Sequence, residues 1–177
     1  MQDVIVAGER AARGGDEAAF TALLQPVLEA GYRLACGMLH DPQAAEDAVQ
    51  EAALKAWRKL GRLRVGADLR PWFLGIVANE CRTTRRSAWW ARVGGLLVER
   101  QVEAGSDSVL TGLEVRRALR SLEHNNRLVL VLRHYLDLPV EEIAGVTSLS
   151  VHAVESRLAR ATRDLRAKLG SMGVSNG

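Results

Sequence analysis

Residues Leu138–Leu169, with the sequence LPVEEIAGVTSLSVHAVESRLARATRDLRAKL, decide the fold of the second half of the chain. Pro139 suits the first turn of a short helix. Thr147–Leu149 suits a tight turn, and Ser150 suits the N-cap of a second, longer helix. A short helix, a turn of a few residues and a longer helix are typical of a helix-turn-helix. The predicted inner stripe of the longer helix comprises Val151, Val154, Leu158, Ala161, Leu165 and Leu169.

The opposite face of the longer helix carries polar and basic side chains. Arginine there reaches phosphates, while the residues near the start of the helix reach base edges. This face therefore favours DNA binding, although many helical hairpins are purely structural and the pattern alone leaves that alternative open. The residues predicted on this face are His152, Glu155, Ser156, Arg157, Arg160 and Arg163.

The first half of the chain predicts three further long helices. Apolar residues recur at helical spacing over residues 20–39, after a short helix over roughly Val4–Arg13, and Asp16 suits the N-cap. Pro26 lies inside this pattern and is expected to bend or interrupt the helix. Asp41–Pro42 opens the next helix. A third begins at Leu69–Pro71 and ends in basic residues.

Composition supports an all-α fold, and the charge pattern and the apolar runs narrow the kinds of partner and location that we expect. Aromatic residues make up 5% of the 177 residues and only four prolines occur, which favours helices. The formal charge is +3, with an acidic front and a basic middle, so two partners of different charge are expected. Cys36 and Cys81 form no redox or metal motif. With no signal peptide or apolar run long enough to cross a bilayer, we expect a cytoplasmic protein without direct membrane insertion.

These patterns divide the chain into two small helical modules joined by a linker. We expect the first module, which we call module 1, over residues 1–87, a linker over 88–110, module 2 over 111–170 and a tail over 171–177. Trp89, Trp90 and Leu96–Val98 are too apolar for a solvated linker. We therefore predict that they are held against a module or a partner.

A family resemblance covers most of the chain. Gly15–Phe20 resembles the opening of sigma region two, and Asp41–Trp57 is similar to its most characteristic helix. Leu69–Asn79 resembles the helix that follows, and Leu122–Leu169 resembles region four. Two motif sets in this order, with no region-three domain between them, are similar to the extracytoplasmic-function (ECF) group of sigma-70 family RNA polymerase sigma factors.

The resemblance implies a role for each surface. Asp47, Gln50 and Glu51 would dock on the beta-prime clamp helices of core RNA polymerase, and region four would meet the beta flap. The promoter −10 element would be melted and held by the loop over residues 62–68 and the helix after it. An anti-sigma factor is a further implied partner. The implied −10 residues are Arg62, Arg64, Asn79, Arg82, Arg85 and Arg86, and the implied −35 residues are Ser150, His152, Glu155, Ser156, Arg157 and Arg160.

Several residues depart from the pattern of the family, among them Ala159, the pair Glu123–His124 and Pro26. Ser148 occupies the turn position that usually holds glycine, and Glu155 stands where lysine or arginine is usual. Glutamate cannot bind phosphate, but it can accept a hydrogen bond from cytosine N4.

No catalytic, metal or cofactor motif competes with this interpretation. The chain has no phosphate-cradling glycine loop, and its four histidines lack metal-ligand spacing. Two alternatives remain open from the sequence. One is a helix-turn-helix transcriptional regulator that acts without core polymerase, and the other is a structural helical adaptor.

Overall fold

The computed structural model describes the backbone of residues 10–64, 66–93 and 109–173, with side chains for residues 10–64, 66–87 and 114–171. This part of the chain is helical and contains no strand, which confirms the predicted all-α fold. Residues 10–13 form a helical turn, so most of the helix expected over Val4–Arg13 lies outside the described residues. The helices are α1 (Glu17–Leu39), α2 (Pro42–Lys59), α3 (Leu69–Val93), α4 (Val109–Ser121), α5 (His124–His134), α6 (Val140–Thr147) and α7 (Val151–Gly173), and a 3-10 turn, Leu60–Arg62, follows α2.

Side-chain caps fix the starts of three helices at the positions that the sequence predicts. Asp16 Oδ1 accepts a hydrogen bond from the Ala19 amide at 3.0 Å, and Asp41 Oδ1 accepts one from the Ala44 amide at 3.1 Å. Ser150 Oγ accepts from the Ala153 amide at 3.2 Å. Each cap satisfies an amide that lacks a partner within its helix.

Two helices extend beyond their expected limits. Helix α1 runs without interruption through Pro26, so of the two expected effects of this proline an interruption does not occur, and a bend stays a prediction. The neighbouring Leu24 and Val27 are buried in the core, and their packing offsets the one backbone hydrogen bond that proline removes. Helix α3 continues to Val93, past residue 87. The side chains of Trp89 and Trp90, together with Leu96–Val98, lie outside the described residues.

Module 1 is built from α1, α2 and α3. Helix α2 buries a stripe of alanines against the other two helices, and these small side chains permit close packing. Phe20 of α1 meets Trp57 of α2 edge to face, with ring centroids 4.9 Å apart. Lys55 Nζ and Glu80 Oε2 form an ion pair at 2.6 Å that joins α2 to α3.

Module 2 is built from α4 to α7, with α6 and α7 forming the predicted helix-turn-helix. Ser148 makes the turn in the left-handed region, at φ 56°. Val154 and Ala161 of α7 are buried as predicted, but Val151 is 40% exposed, so its placement in the inner stripe is wrong. Val151 is the first residue of α7, and at this end of the helix it packs less closely than the inner-stripe residues that follow.

The two modules pack directly against each other. Helix α3 lies against α6, and α1 lies against α5, so that one hydrophobic core runs through both modules. Helix α5 is buried over the consecutive residues 126–132 because it is covered from both sides. The contact brings the third helix of module 1 beside the helix-turn-helix.

Candidate functional site

The outer face of α2 presents the residues implied to dock on polymerase. Asp47, Gln50 and Glu51 are all exposed, because the alanine stripe on the opposite side of α2 faces the core. Asp47 Oδ1 accepts a hydrogen bond from Gln43 Nε2 at 3.4 Å, and neither carboxylate forms an ion pair with any described residue. The structure therefore brings these three side chains together on one accessible surface.

This arrangement costs α2 some stability. Asp47 and Glu51 are one helical turn apart, and like charges at this spacing destabilise a helix by a few tenths of a kcal/mol. Leu54, one turn beyond Gln50, is 52% exposed. The sequence does not distinguish Leu54 from a core residue, because leucine fits either side of such a helix.

An apolar groove adjoins the α2 face. It lies between α1 and α2 and has a volume of about 470 Å³. Glu46 and Gln50 also line the groove. It therefore opens beside the α2 face that carries Asp47 and Glu51. The apolar lining comes from Phe20, Leu24, Leu28, Tyr32, Val49 and Ala53.

A second polar face lies on α3. Asn79 Oδ1 accepts a hydrogen bond from Arg82 Nη2 at 2.8 Å, which orients both side chains. Arg86, one turn beyond Arg82, is also exposed. Glu80 is buried next to Asn79, and its ion pair with Lys55 fixes the rotation of α3. The sequence signal for this anchor is a carboxylate in the middle of an apolar helix stripe.

Arg85 differs from the other basic residues of α3. Its side chain is partly buried, and burial lowers the pKa of Arg85 from its usual value. It lies near His124 of module 2, where its positive charge helps to lower the pKa of that histidine. Arg85 is therefore less accessible to a phosphate than Arg82 and Arg86 while the modules are in contact.

The loop before α3 is held by an arginine from the start of the chain. Arg13 donates from Nη1 to the Gly61 carbonyl at 3.5 Å and from Nη2 to the Leu63 carbonyl. Arg62 and Arg64, two of the implied −10 residues, are exposed on either side of Leu63. The sequence gives no indication of the contact made by Arg13, because the residues it joins are nearly 50 positions apart.

The start of α7 presents most of the implied −35 residues to solvent. Ser150, His152, Glu155, Ser156 and Arg160 are exposed, and Arg157 is partly buried. His152 Nδ1 lies 3.9 Å from Glu155 Oε2 on the same face. Exposed donors and acceptors over the first turns of a second helix suit contact with base edges in a major groove.

Other kinds of site find no support in the described residues. No group of His, Cys, Asp and Glu among them has an arrangement suited to a metal ion. None of the helices of this part is long and apolar enough to cross a membrane. Cys81 is buried, and burial raises the pKa of its thiol to about 12, so it is not a reactive nucleophile.

Comparison with known families matches both modules. The model of sigma-70 region 2 matches residues 20–91, and that of sigma-70 region 4 matches residues 112–165.

Two curated relatives match over most of their length. The RNA polymerase sigma factor SigV of Bacillus subtilis is 28% identical over 138 residues, which is 78% of this chain and 83% of SigV. The ECF RNA polymerase sigma factor SigM of Mycobacterium tuberculosis is 30% identical over 156 residues, which is 88% of this chain and 80% of SigM.

Two solved structures share the fold. The sigma factor RpoE from Bartonella quintana, in complex with the anti-sigma factor NepR, superposes with a TM-score of 0.66 at 24% identity, covering 85% of this chain and 96% of RpoE. CnrH in complex with the cytosolic domain of CnrY also gives a TM-score of 0.66 at 24% identity, covering 97% of this chain and 98% of that chain.

Proposed function

Because the chain belongs to the ECF group of sigma-70 family RNA polymerase sigma factors, we propose that its two modules divide promoter recognition between them. Module 1 (1–87) binds core polymerase and opens the −10 element, and module 2 (111–170) binds the duplex −35 element. Residues 88–110 link them and 171–177 form a tail. The observation that carries this proposal is that three polar faces, on α2, α3 and α7, are each exposed on a helix anchored in the core.

The α2 face is the proposed docking surface for the beta-prime clamp helices. Asp47 and Glu51 supply unpaired negative charge and Gln50 supplies an amide between them. Leu54 adds exposed apolar area at the end of the same face, which docking would remove from water. Module 2 is proposed to contact the beta flap.

The α3 face is the proposed site for the −10 element. Asn79, held by Arg82, offers hydrogen bonds to an unpaired base, while Arg82, Arg85 and Arg86 bind phosphates. Arg62 and Arg64 extend this positive surface into the preceding loop. Arg85 is partly buried near His124 and is the least accessible of the three.

The face at the start of α7 is the proposed −35 reader. Arg157 and Arg160 bind phosphate or guanine, and Glu155 accepts from cytosine. Ser150, His152 and Ser156 complete this surface at the start of α7. That end of the helix is the one proposed to enter the major groove.

The remaining assignments follow from the role of the family. The chain performs no catalysis and carries no cofactor, because RNA synthesis belongs to the polymerase, and it acts in the cytoplasm where that polymerase works. We also assign it an anti-sigma partner. The solved relatives RpoE and CnrH were captured with NepR and with the cytosolic domain of CnrY, which supports a partner of this kind.

Core binding tests the proposal and separates it from a polymerase-independent regulator. The tagged chain should retain purified core polymerase, and the double variant Asp47→Lys, Glu51→Lys should lose that binding while its melting temperature is unchanged. Glu17→Lys, Glu29→Lys makes the same change in net charge with exposed residues of α1 and should bind normally. Retention of core by a folded Asp47→Lys, Glu51→Lys variant at unchanged affinity contradicts the docking assignment.

A further inference from the structure

Arg13 lies in the turn before α1, and its side chain contacts the loop that follows α2. Its Nη2 donates to the Leu63 carbonyl, and its Nη1 donates to the Gly61 carbonyl at 3.5 Å. The side chain is partly buried. Arg13 lies ahead of residues 20–91, the part of the chain that matches sigma-70 region 2, so that match assigns it no role.

The backbone that carries Arg13 is fixed to module 1. Ala12 is buried in the core, with 4% of its surface exposed. The Asp16 amide donates to the Ala11 carbonyl at 3.2 Å and closes the turn. The Asp16 side chain then caps α1. Arg13 therefore extends from an anchored position, and its planar guanidinium presents donors in a fixed geometry.

The loop depends on a few specific bonds for its conformation. The Leu60 carbonyl accepts a hydrogen bond from the Leu63 amide at 3.1 Å, which forms the 3-10 turn after α2. Arg13 binds the carbonyls of Gly61 and Leu63, which belong to the same turn and to its end. A loop has no repeating ladder of backbone bonds. The contact with Arg13 is therefore a substantial part of what holds this segment.

The position of Leu63 sets the direction of its two neighbours. Its backbone is extended, at φ −72° and ψ 133°, and side chains alternate in direction along extended backbone. The Leu63 side chain packs against the core, so Arg62 and Arg64 are directed away from it. Both are exposed. By holding the Leu63 carbonyl, Arg13 fixes the residue between these two arginines.

We propose that Arg13 is a positioning residue for the −10 element: it holds the loop that presents Arg62 and Arg64 and thereby sets the base preference there. This inference rests on the proposed function, which places the loop on the −10 element. Arg13 does not bind the DNA itself, because both of its Nη groups point at loop carbonyls and its Nε is buried.

The expected effect is a weaker preference between bases, with promoter opening retained. Complete loss of one good base contact changes the discrimination between bases about 5- to 150-fold. Arg13→Gln leaves Arg62 and Arg64 in place but holds them less firmly. We therefore expect the lower end of this range, a loss of about fivefold at the −10 positions that the loop reads.

Promoter selection by the holoenzyme measures this loss. Core polymerase with each variant transcribes a library randomised over the −10 and −35 elements. Arg13→Gln should lower the −10 preference about fivefold and leave the −35 preference unchanged. Arg13→Lys, which retains the charge and one donor group, should recover part of the −10 preference. The matched control is Arg10→Gln, which removes an exposed arginine from the same segment and should select like the wild type.

The preference separates positioning from a general loss of structure. It is a ratio between promoters, so a smaller folded fraction lowers the total number of transcripts but leaves the ratio unchanged. If Arg13→Gln melts at a lower temperature and keeps the −10 preference of the wild type, Arg13 only staples the start of the chain and the proposal is overturned.

A double-mutant comparison tests whether Arg13 acts through the loop. In the background Arg62→Ala, Arg64→Ala the loop presents neither arginine, so Arg13→Gln should change the −10 preference no further. An equal change in both backgrounds contradicts the proposal. So does a fall of about one in the salt slope of promoter binding by Arg13→Gln, since this is the mark of a lost phosphate contact.

Amide hydrogen exchange tests the loop in the free chain, without polymerase. The Leu63 amide should exchange faster in Arg13→Gln than in Arg10→Gln, because its bond to the Leu60 carbonyl opens more often when the loop is released. Equal rates overturn the proposal. If instead the wild-type chain fails to direct core polymerase to any promoter, the proposed function is contradicted, and the exchange result is independent of that failure.

Discussion

Acid should weaken the folded chain through two histidines at the junction of the modules. Burial, followed by the charges of Arg120 and Arg127, lowers the pKa of His40 to about 4. Burial, followed by Arg85 and Arg82, lowers the pKa of His124 to about 4 as well. Among the described residues, His40 Nε2 and His124 Nδ1 are buried and have no hydrogen-bond partner, so protonation would place an unpaired charge there.

The direction of the change in the free energy of unfolding follows from the pH at which the folded and the unfolded state each take up a proton. The unfolded rings protonate near pH 6.5 and the folded rings near pH 4, so between these values the unfolded chain binds more protons and the free energy of unfolding falls as the pH falls. From pH 7 to pH 5 the full shift is worth roughly 2 kcal/mol per ring. Because both rings are only partly buried, solvent screening reduces this to about 1 kcal/mol each. Together they lower the melting temperature by about 4–8 °C.

Thermal melts at pH 7 and pH 5 measure this effect as a difference between variants. The wild type also loses stability through other groups, so His40→Asn, His124→Asn is the informative comparison, since asparagine tolerates the left-handed backbone of residue 40. The double variant should lose about 2 kcal/mol less than the wild type between the two pH values. His134→Asn, His152→Asn, at two exposed histidines, is the control. An equal loss in wild type and His40→Asn, His124→Asn would refute the reasoning.

Three substitutions extend the test to other parts of the chain. Ser148→Gly should raise the free energy of unfolding by about 0.5–1 kcal/mol in urea titrations, because Ser148 holds φ 56°, whereas Ser171→Gly within α7 should lower it. Leu54→Ser should weaken core binding about tenfold in a fluorescence titration, with no loss of stability. An unchanged affinity would show that Leu54 is not part of the docking face. Glu155→Lys should change the base preference at one −35 position by roughly 1–3 kcal/mol in promoter selection. An unaltered preference would show that Glu155 reads nothing.

The sequence predicts the local structure of this chain well because the signals are local. Asp16, Asp41 and Ser150 each combine a capping side chain with an adjacent amphipathic run, and all three caps form. The prediction for Val151 was wrong because an apolar residue at a helix start fits the periodic stripe even where it stays 40% exposed.

The sequence does not predict the junction between the modules. Arg127 is buried at this junction and donates to the Met38 and Leu119 carbonyls. In the sequence it looks like an ordinary surface arginine, since no side-chain pattern reveals such partners. One signal was available: the apolar run Leu128–Leu132 is continuous rather than periodic. A helix that is apolar on every side must be covered on every side, and module 2 alone does not supply that cover.

Transcription with purified components tests the central claim most directly. Core polymerase with the wild-type chain should initiate at a small set of positions in a library of genomic fragments, and those positions should share a −10 and a −35 element. The Asp47→Lys, Glu51→Lys variant should yield no transcripts above core alone. If the wild-type chain leaves the start sites of core polymerase unchanged, the chain does not select promoters and the account fails.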